Sequence, residues 1–541
     1  MANANRRQVI RAAAASVLTP WTTLTHLFST ATAEARKSTS NDSQPIPLEL
    51  WYDAPAERWT EALPVGNGRL GAMVFGGVAA ERLQLNEDTL WTGGPRSYDH
   101  PGAAEVLPQL RELLFAGKQK EAESLASERF MSIPIRQRAY QPLGDLLFEF
   151  SGHANPKHYR RSLDLDQAIA SVSYSCNGVR YAREVFASHP DRTIVVQLSC
   201  DRPKVLTFVA SLTSPQSDIE TKPFTPENER GEVPAVGLQL TGRVSDRVDQ
   251  TGFPVTGEMR FAAHLSVLET DGVTEFRNEK LRISQASHAT LLITAATNFV
   301  NFRDLSGDPV VRSVSDSKRV LAKSIGQLQN DHLSDYQTLF RRVSLQLGPP
   351  AGDGALPTDQ RILLYAKNRD PRLAALFFQY GRYLMIASSR PGDQPANLQG
   401  LWNDQLKPSW DSKHTTNINF EMNYWLTEPG NLAECGEPLF DAVDELAVSG
   451  ADTARVHYDA PGWVLHHNFD LWRGTARRRS TLRTTASGRP APRGFATTCG
   501  NATSTAATEI SSAREPTLTC AAPPTFSSTI WSKIRAARSA G

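Results

Sequence analysis

Residues 171–189 read SVSYSCNGVRYAREVFASH. Apolar and polar residues alternate on both sides of Asn177-Gly178. A period of two puts one set of side chains on one face of a strand. Asn-Gly tolerates positive φ and fits a tight two-residue hairpin turn. The stretch therefore predicts a β-hairpin. Residues 259–276, MRFAAHLSVLETDGVTEF, repeat the device at Asp271-Gly272 and predict a second one. TIVVQLSC (193–200), VLTFVASL (205–212), LRISQAS (281–287) and ATLLITAATNF (289–299) add further short strands. Many short strands with turn signals and few helical periods predict a large N-terminal β-sandwich over 46–310.

The pattern changes after Asp316. Val320, Leu321, Ile325 and Leu328, then Leu333, Tyr336, Leu339 and Phe340, recur at helical spacing, which predicts a helical linker over 311–350. Helices dominate from Thr358. Leu373, Leu376, Phe377, Tyr380, Leu384 and Ala387 line one face of a predicted helix, and 437–458 form another that should stop near Gly450. The fold class read from these periods is multidomain, β followed by α, with a helical domain over 358–476.

The chain has 541 residues, 40% of them hydrophobic, with ten Trp and a formal net charge of +1. That composition excludes a disordered protein. The charge is uneven. Arg477 to Gly541 carries ten Lys and Arg against two Glu, so the body before it is mildly acidic. Nothing in it suggests a nucleic-acid partner. No stretch has the apolar length of a membrane span. Arg6 and Arg7 precede an Ala-rich run and Ala31-Thr32-Ala33, which resembles a twin-arginine export signal over 1–35. A frayed basic terminus is the plain alternative. Cys176, Cys200, Cys435, Cys499 and Cys520 show neither CxxC nor metal-ligand spacing.

The segment WDSKHTTNINFEMNYWLTEPGN begins at Trp410. Asp411, His414, Asn417, Asn419 and Glu421 crowd among Trp, Tyr and Met. Few core helices can pair so many polar groups. A sugar site needs this mixture, with aromatic faces against C–H surfaces and amides or carboxylates on hydroxyls. An exposed polar loop is the alternative. A second cluster, GWVLHHNFDLW, places His466, His467 and Asn468 between Trp463 and Trp472. Adjacent histidines cannot share one helix face, and no third ligand stands at metal spacing, so sugar contact or structural bonding is expected rather than a metal. A third segment, NLQGLWND (397–404), sets Trp402 beside amides, again either for a sugar or for structure.

Six stretches now form a pattern: LWYDAPAERWTEALPVGNGRLGAMVFGG, LQLNEDTLWTGGP, YQPLGDLLFEF, PANLQGLWND, TTNINFEMNYW and GWVLHHNFDLWRGTA. In this order they resemble the α-L-fucosidases of glycoside hydrolase family 95, from about Leu48 to Ala476. The resemblance implies a β-sandwich, a helical linker and an (α/α)6 barrel that holds the active site. It implies hydrolysis of terminal α-L-fucosyl linkages of oligosaccharides and glycans, often α-1,2, with inversion and no cofactor. Inversion needs an acid for the leaving oxygen and a base on the opposite face that activates water. The resemblance maps two water-holding Asn residues onto Asn417 and Asn419. It also places the catalytic carboxylates beyond Ala476, so Glu421 is not taken as the base. Trp402, Asp411, His414, Glu421, His466, His467 and Asn468 are the expected substrate contacts.

After Ala476 the chain turns to Ala, Thr, Ser, Arg and Pro without apolar periodicity. A natural disordered tail is the plain reading. Back-translated and read one frame over, Thr498 to Thr503 gives LWERY, and two further stretches at that offset give strings rich in Trp, Leu and acids. The expectation is a frameshift, an out-of-frame tail over 477–541, an incomplete barrel and no glycosidase activity in this chain. A carbohydrate-binding remnant without turnover and an α-L-galactosidase on the same scaffold are the competing readings.

Overall fold

A computed structural model describes residues 48–225, 237–249, 252–348 and 356–477. The expected export signal lies outside these residues, as does the expected tail beyond Arg477. Among the described residues, two large antiparallel sheets and a two-stranded one, Arg247–Val248 with Pro254–Val255, form the N-terminal part. The nine-stranded sheet runs Glu49–Tyr52, Lys157–Asp164, Ile169–Cys176, Val179–Ser188, Thr193–Cys200, His288–Thr297, Arg260–Thr270, Gly237–Arg243, Ser217–Phe224. The seven-stranded sheet runs Val273–Arg277, Lys280–Ala286, Leu206–Thr213, Gly144–Glu149, Ala80–Glu87, Leu70–Val74, Leu63–Gly66. Val172, Val185, Val196 and Ile293 of the first share one core with Leu83, Leu146, Phe208 and Ile283 of the second.

The hairpin at Asn177-Gly178 forms as its sequence predicts, with φ of 52° and 74° at the two turn residues. Cys176 pairs with Val179 across it. The second expected hairpin does not form. The strand before Asp271 belongs to the nine-stranded sheet and the strand after Gly272 to the other, so the chain changes sheets there. The Asp271 carboxylate fixes this crossing by accepting bonds from the Ser287 and His288 backbone N–H groups, at 2.7 and 3.3 Å. Periodicity also missed a helical excursion between strands Ala80–Glu87 and Gly144–Glu149. Helices α1 (Ala103–Phe115) and α2 (Gln119–Arg129) leave the sandwich here.

Two linker helices follow, α3 (Pro309–Leu321) and α4 (Ile325–Phe340). Asp308 caps the first, and Ser324 with Gln327 forms a capping box on the second. Val320, Leu321 and Leu328 pack on Ile169, Phe186, Val195 and Leu292, the outward set of the nine-stranded sheet. One sheet thus buries both faces.

The helical region contains α5 (Thr358–Asn368), α6 (Pro371–Ser388), α7 (Asn419–Tyr424) and α8 (Glu437–Tyr458), consistent with part of an α/α barrel. Asp370 caps α6, and Pro371 occupies its first turn. The buried stripe of α6 runs through Leu376, Gln379, Arg382, Tyr383 and Ile386. It is rotated from the expected face, and Phe377 is 75% exposed. Arg382 explains the rotation. Its buried guanidinium donates to the carbonyls of Phe340, Leu339 and Gly430 at 2.6–3.0 Å, so a charged residue joins linker and helical region where apolar counting expects none. Helix α8 runs through Gly450 instead of stopping. A Cβ there would meet the Val464 carbonyl oxygen at 2.7 Å. The glycine admits a crossing strand of chain rather than ending the helix.

Candidate active site

The seven-stranded sheet turns its outer face to the helical region. Buried Gln84 and Asn86 donate to the Asn403 carbonyl at 2.9 and 3.0 Å, and Asn86 accepts from the Asn403 backbone N–H. Tyr383 of α6 donates to the Pro64 carbonyl at 2.6 Å. Trp402, 5% exposed, donates its indole N–H to the Val65 carbonyl at 2.9 Å. The expected sugar contact at Trp402 is therefore corrected. Its ring fills the joint between sheet and helices and presents no face to a ligand.

The TTNINFEMNYW and HHNFD segments, separate in sequence, meet. His414-Thr415 pairs antiparallel with Asn468-Phe469. Thr416 donates its N–H to the His467 carbonyl and its hydroxyl to the carbonyls of His466 and His467, each at 2.9 Å. The NLQG segment joins them. The Asn423 amide donates to the Asn397 carbonyl at 3.0 Å, the Ala396 N–H donates to the Tyr424 hydroxyl at 2.8 Å, and Ser412 donates to the Gln399 side chain at 2.7 Å.

Asn417 and Asn419 are exposed on the approach to α7 and at its first residue. Glu421, half-buried, follows on the same short helix. Met422 and Trp425 stand beside it, 51% and 56% exposed. This gives amides, a carboxylate and apolar surface within one stretch of nine residues. Asp411 accepts from Lys413 at 2.8 Å in a left-handed turn, where Trp410, Asp411 and Ser412 all have φ between 51° and 59°. Trp410, at the head of that turn, is 73% exposed.

The three histidines divide. His414 is 2% exposed, stacks on Phe469 at 4.5 Å and Trp91 at 5.6 Å, and its Nε2 bonds the Pro395 carbonyl. Burial pushes it down to about 3, so it is a neutral core residue. His466 donates from Nδ1 to the Thr475 carbonyl and accepts the Tyr458 hydroxyl at Nε2, both at 2.7 Å. Burial pushes it down to about 4. Both ring nitrogens of His466 are spent on structure, whereas His414 is held by its stacking and its Nε2 bond, with its buried Nδ1 unpartnered among the described residues. His467 is exposed. Asn468 differs from all of these. It is 2% exposed, and neither atom of its side-chain amide has a hydrogen-bond partner among the described residues. A buried amide in that condition costs roughly 1–3 kcal/mol.

Sequence reasoning missed the supports that come from the sandwich. Gln137 donates to the carbonyls of Asn468 and Gly474, both at 2.6 Å. Buried Asp470 accepts the Tyr98 hydroxyl at 2.5 Å and the Arg138 N–H at 2.7 Å. Gln137 and Arg138 lie just before the quoted YQPLGDLLFEF stretch, and that adjacency is the one signal in the sequence. Among the described residues no three His, Cys, Asp or Glu side chains group as a metal site, and no helix is long and apolar enough to cross a membrane.

Comparison with known proteins fits this arrangement. Residues 50–302 match the glycosyl hydrolase family 65 N-terminal domain, and residues 324–492 match the glycosyl hydrolase family 95 catalytic domain, a match that runs past Ala476. Alpha-L-fucosidase 2 of Arabidopsis thaliana is 40% identical over 450 residues, covering 80% of this chain and 53% of that protein. The protein named "Probable alpha-fucosidase A" of Aspergillus niger is 32% identical over 453 residues, covering 79% and 54%. Its namesake in Aspergillus oryzae is 27% identical over 447 residues, covering 78% and 59%. The chain thus spans about half the length of the curated relatives it matches. The chain belongs to glycoside hydrolase family 95.

Proposed function

We propose that the node formed by 414–425 and 466–470 is the glycan-binding part of an α-L-fucosidase site. The reading is hydrolysis of terminal α-L-fucosyl linkages, often α-1,2, with inversion. The buried, unpartnered Asn468 amide carries it, because such a group is costly unless a polar ligand meets it. Asn417 and Asn419 then hold the attacking water. An amide carbonyl orients water but does not take its proton, so a carboxylate must serve as base and a second one as acid. Glu421 is the carboxylate closest in sequence. It makes no hydrogen bond or ion pair among the described residues, and the reading does not assign it as base. The names of the relatives support the fucosyl specificity. Export through a twin-arginine signal belongs to the same reading.

We further propose that the 541-residue chain binds its glycan without turning it over. The test is release of fucose from 2′-fucosyllactose by the purified chain, alongside a sugar-dependent thermal shift. Binding without release is expected, and Asn468→Ala should abolish the shift. Release at rates typical of a glycosidase would overturn the inactivity. A shift that Asn468→Ala leaves unchanged would overturn the site.

A further inference from the structure

Two arginines of the sandwich carry charge that no described acid pairs. Arg138 is 2% exposed. Its backbone N–H is used on Asp470, but its guanidinium has no hydrogen bond or ion pair among the described residues, and its Nε is sealed from solvent. The guanidinium lies 5.9 Å from the centre of the Phe253 ring. Arg96 lies over the same ring at 5.8 Å and over Tyr98 at 5.5 Å, with its own Nε sealed and unbonded. Cation–π contact offsets part of the desolvation of such groups but not all of it. The remaining deficit is a demand for an anion. Burial, and next the charge of Arg138, hold Arg96 below the usual arginine range, against the opposing pull of Tyr98, Asp470 and Glu258.

Arg96 also forms part of the wall of a cavity of about 380 Å³, between residues 95–99, the 302–303 turn, α8 and residues 472–475. None of the sugar-contact residues expected from sequence lines it. Arg303 lines it too, over Phe302 at 5.0 Å and without an acid partner among the described residues. The two acids of the wall are occupied. Asp99 accepts the Thr453 hydroxyl at 2.5 Å, and Asp452 pairs with Arg455 at 3.3 Å. With Asp452 paired to Arg455, Arg96 and Arg303 together outweigh the remaining charge of Asp99, so the cavity favours negative charge. Its volume falls within the range of small-molecule sites, about 300–1,000 Å³, and exceeds what a bare oxyanion fills.

We infer that this cavity binds a carboxylated sugar, with Arg96 and Arg303 on the carboxylate and buried Arg138 adding its charge. That the carboxylate is carried by a sugar rests on the glycan-hydrolase reading; the anion site stands without it.

Titration calorimetry of the full chain at low ionic strength tests both parts and needs no turnover. Sodium glucuronate should bind, glucose should not, and added salt should weaken binding. Arg96→Gln should weaken glucuronate at least about tenfold, as loss of a charge-assisted bond implies. Arg303→Gln, on the exposed turn, is the second variant in case the first misfolds, and it too should weaken binding. Binding by neither glucuronate nor sulfate, or unchanged affinity in both variants, would overturn the site. Sulfate bound as tightly as glucuronate would overturn the sugar, and with it only the part taken from the glycan reading.

Discussion

Gly450 and Gly381 sit inside helices of the same region, and alanine should act on them with opposite sign. In a helix interior, glycine to alanine normally stabilises by about 0.5–1 kcal/mol, because the unfolded chain loses freedom. At Gly381 in α6, an added Cβ meets nothing within 4 Å. Gly381→Ala should therefore gain the full amount. At Gly450 in α8, the same atom lies 2.7 Å from the Val464 carbonyl oxygen and 3.2 Å from the Trp463 ring. A backbone oxygen cannot swing aside, and overpacking of this kind costs about 1–3 kcal/mol. Subtracting the helix gain leaves Gly450→Ala destabilised by up to about 2.5 kcal/mol. At about 2–4 °C per kcal/mol, thermal melts followed by far-ultraviolet circular dichroism separate the two variants on either side of the parent chain. The crossing matters for the site, since the Val464 N–H donates to the Gly450 carbonyl at 3.2 Å and leads the chain into His466–Asn468. If Gly450→Ala melts as high as Gly381→Ala, the close approach is not real and the reasoning fails.

Three further outcomes are expected. Trp402→Ala should lose about 3–5 kcal/mol of stability through cavity and lost bond, and Trp402→Phe less; a urea transition identical to that of the parent would remove Trp402 from the joint. Burial raises the Asp393 carboxyl to about 7, against the opposing pull of Arg69 and Arg192. Because its folded pKa lies above its unfolded value, the folded state keeps the proton. The cost is absent at about pH 4, grows as pH rises and is complete above about 7. Asp393→Asn should flatten the fall in melting temperature between those limits, and an unchanged slope would refute the assignment. Asn468→Leu should fold with stability within about 1 kcal/mol of the parent, since no protein bond is lost, while glycan-dependent thermal shifts vanish; a loss of several kcal/mol would show the amide to be structural.

Much of the fold is legible because strand periodicity is a local signal. Asn177-Gly178 names its own turn, and the alternation on either side of it names its partner. Asp271-Gly272 carries a comparable turn signal but joins two sheets. What decides there is the Asp271 carboxylate bonding Ser287 and His288, and pairing with distant residues leaves no trace in a local window. Phe377 misleads for a related reason. Apolar counting assigns it to the buried face of α6, whereas Arg382 takes that face by finding three carbonyls from two other elements. Helix α1 was hidden by its weakly patterned neighbours, although Val106, Leu110 and Phe130 form a small core that Tyr458 of α8 joins.

The candidate site was half legible for a different reason. Residue type shows which side chains are able to bind a sugar, but only burial and partners show which remain free to do so. His414, His466 and Trp402 have the right chemistry, and the fold spends them on stacking, on two hydrogen bonds and on the sheet joint. Asn468 has the same amide as its neighbours in the sequence, and it alone is buried with both atoms unused. That state is created by Thr415 and Thr416, which draw in the His467–Phe469 strand from 51 residues away, and by Gln137, which takes the Asn468 carbonyl and leaves the side chain unengaged. The distinction between a structural amide and a binding amide thus lies in contacts made by three separate parts of the chain, and it comes into being only when the sandwich and the helices close on each other.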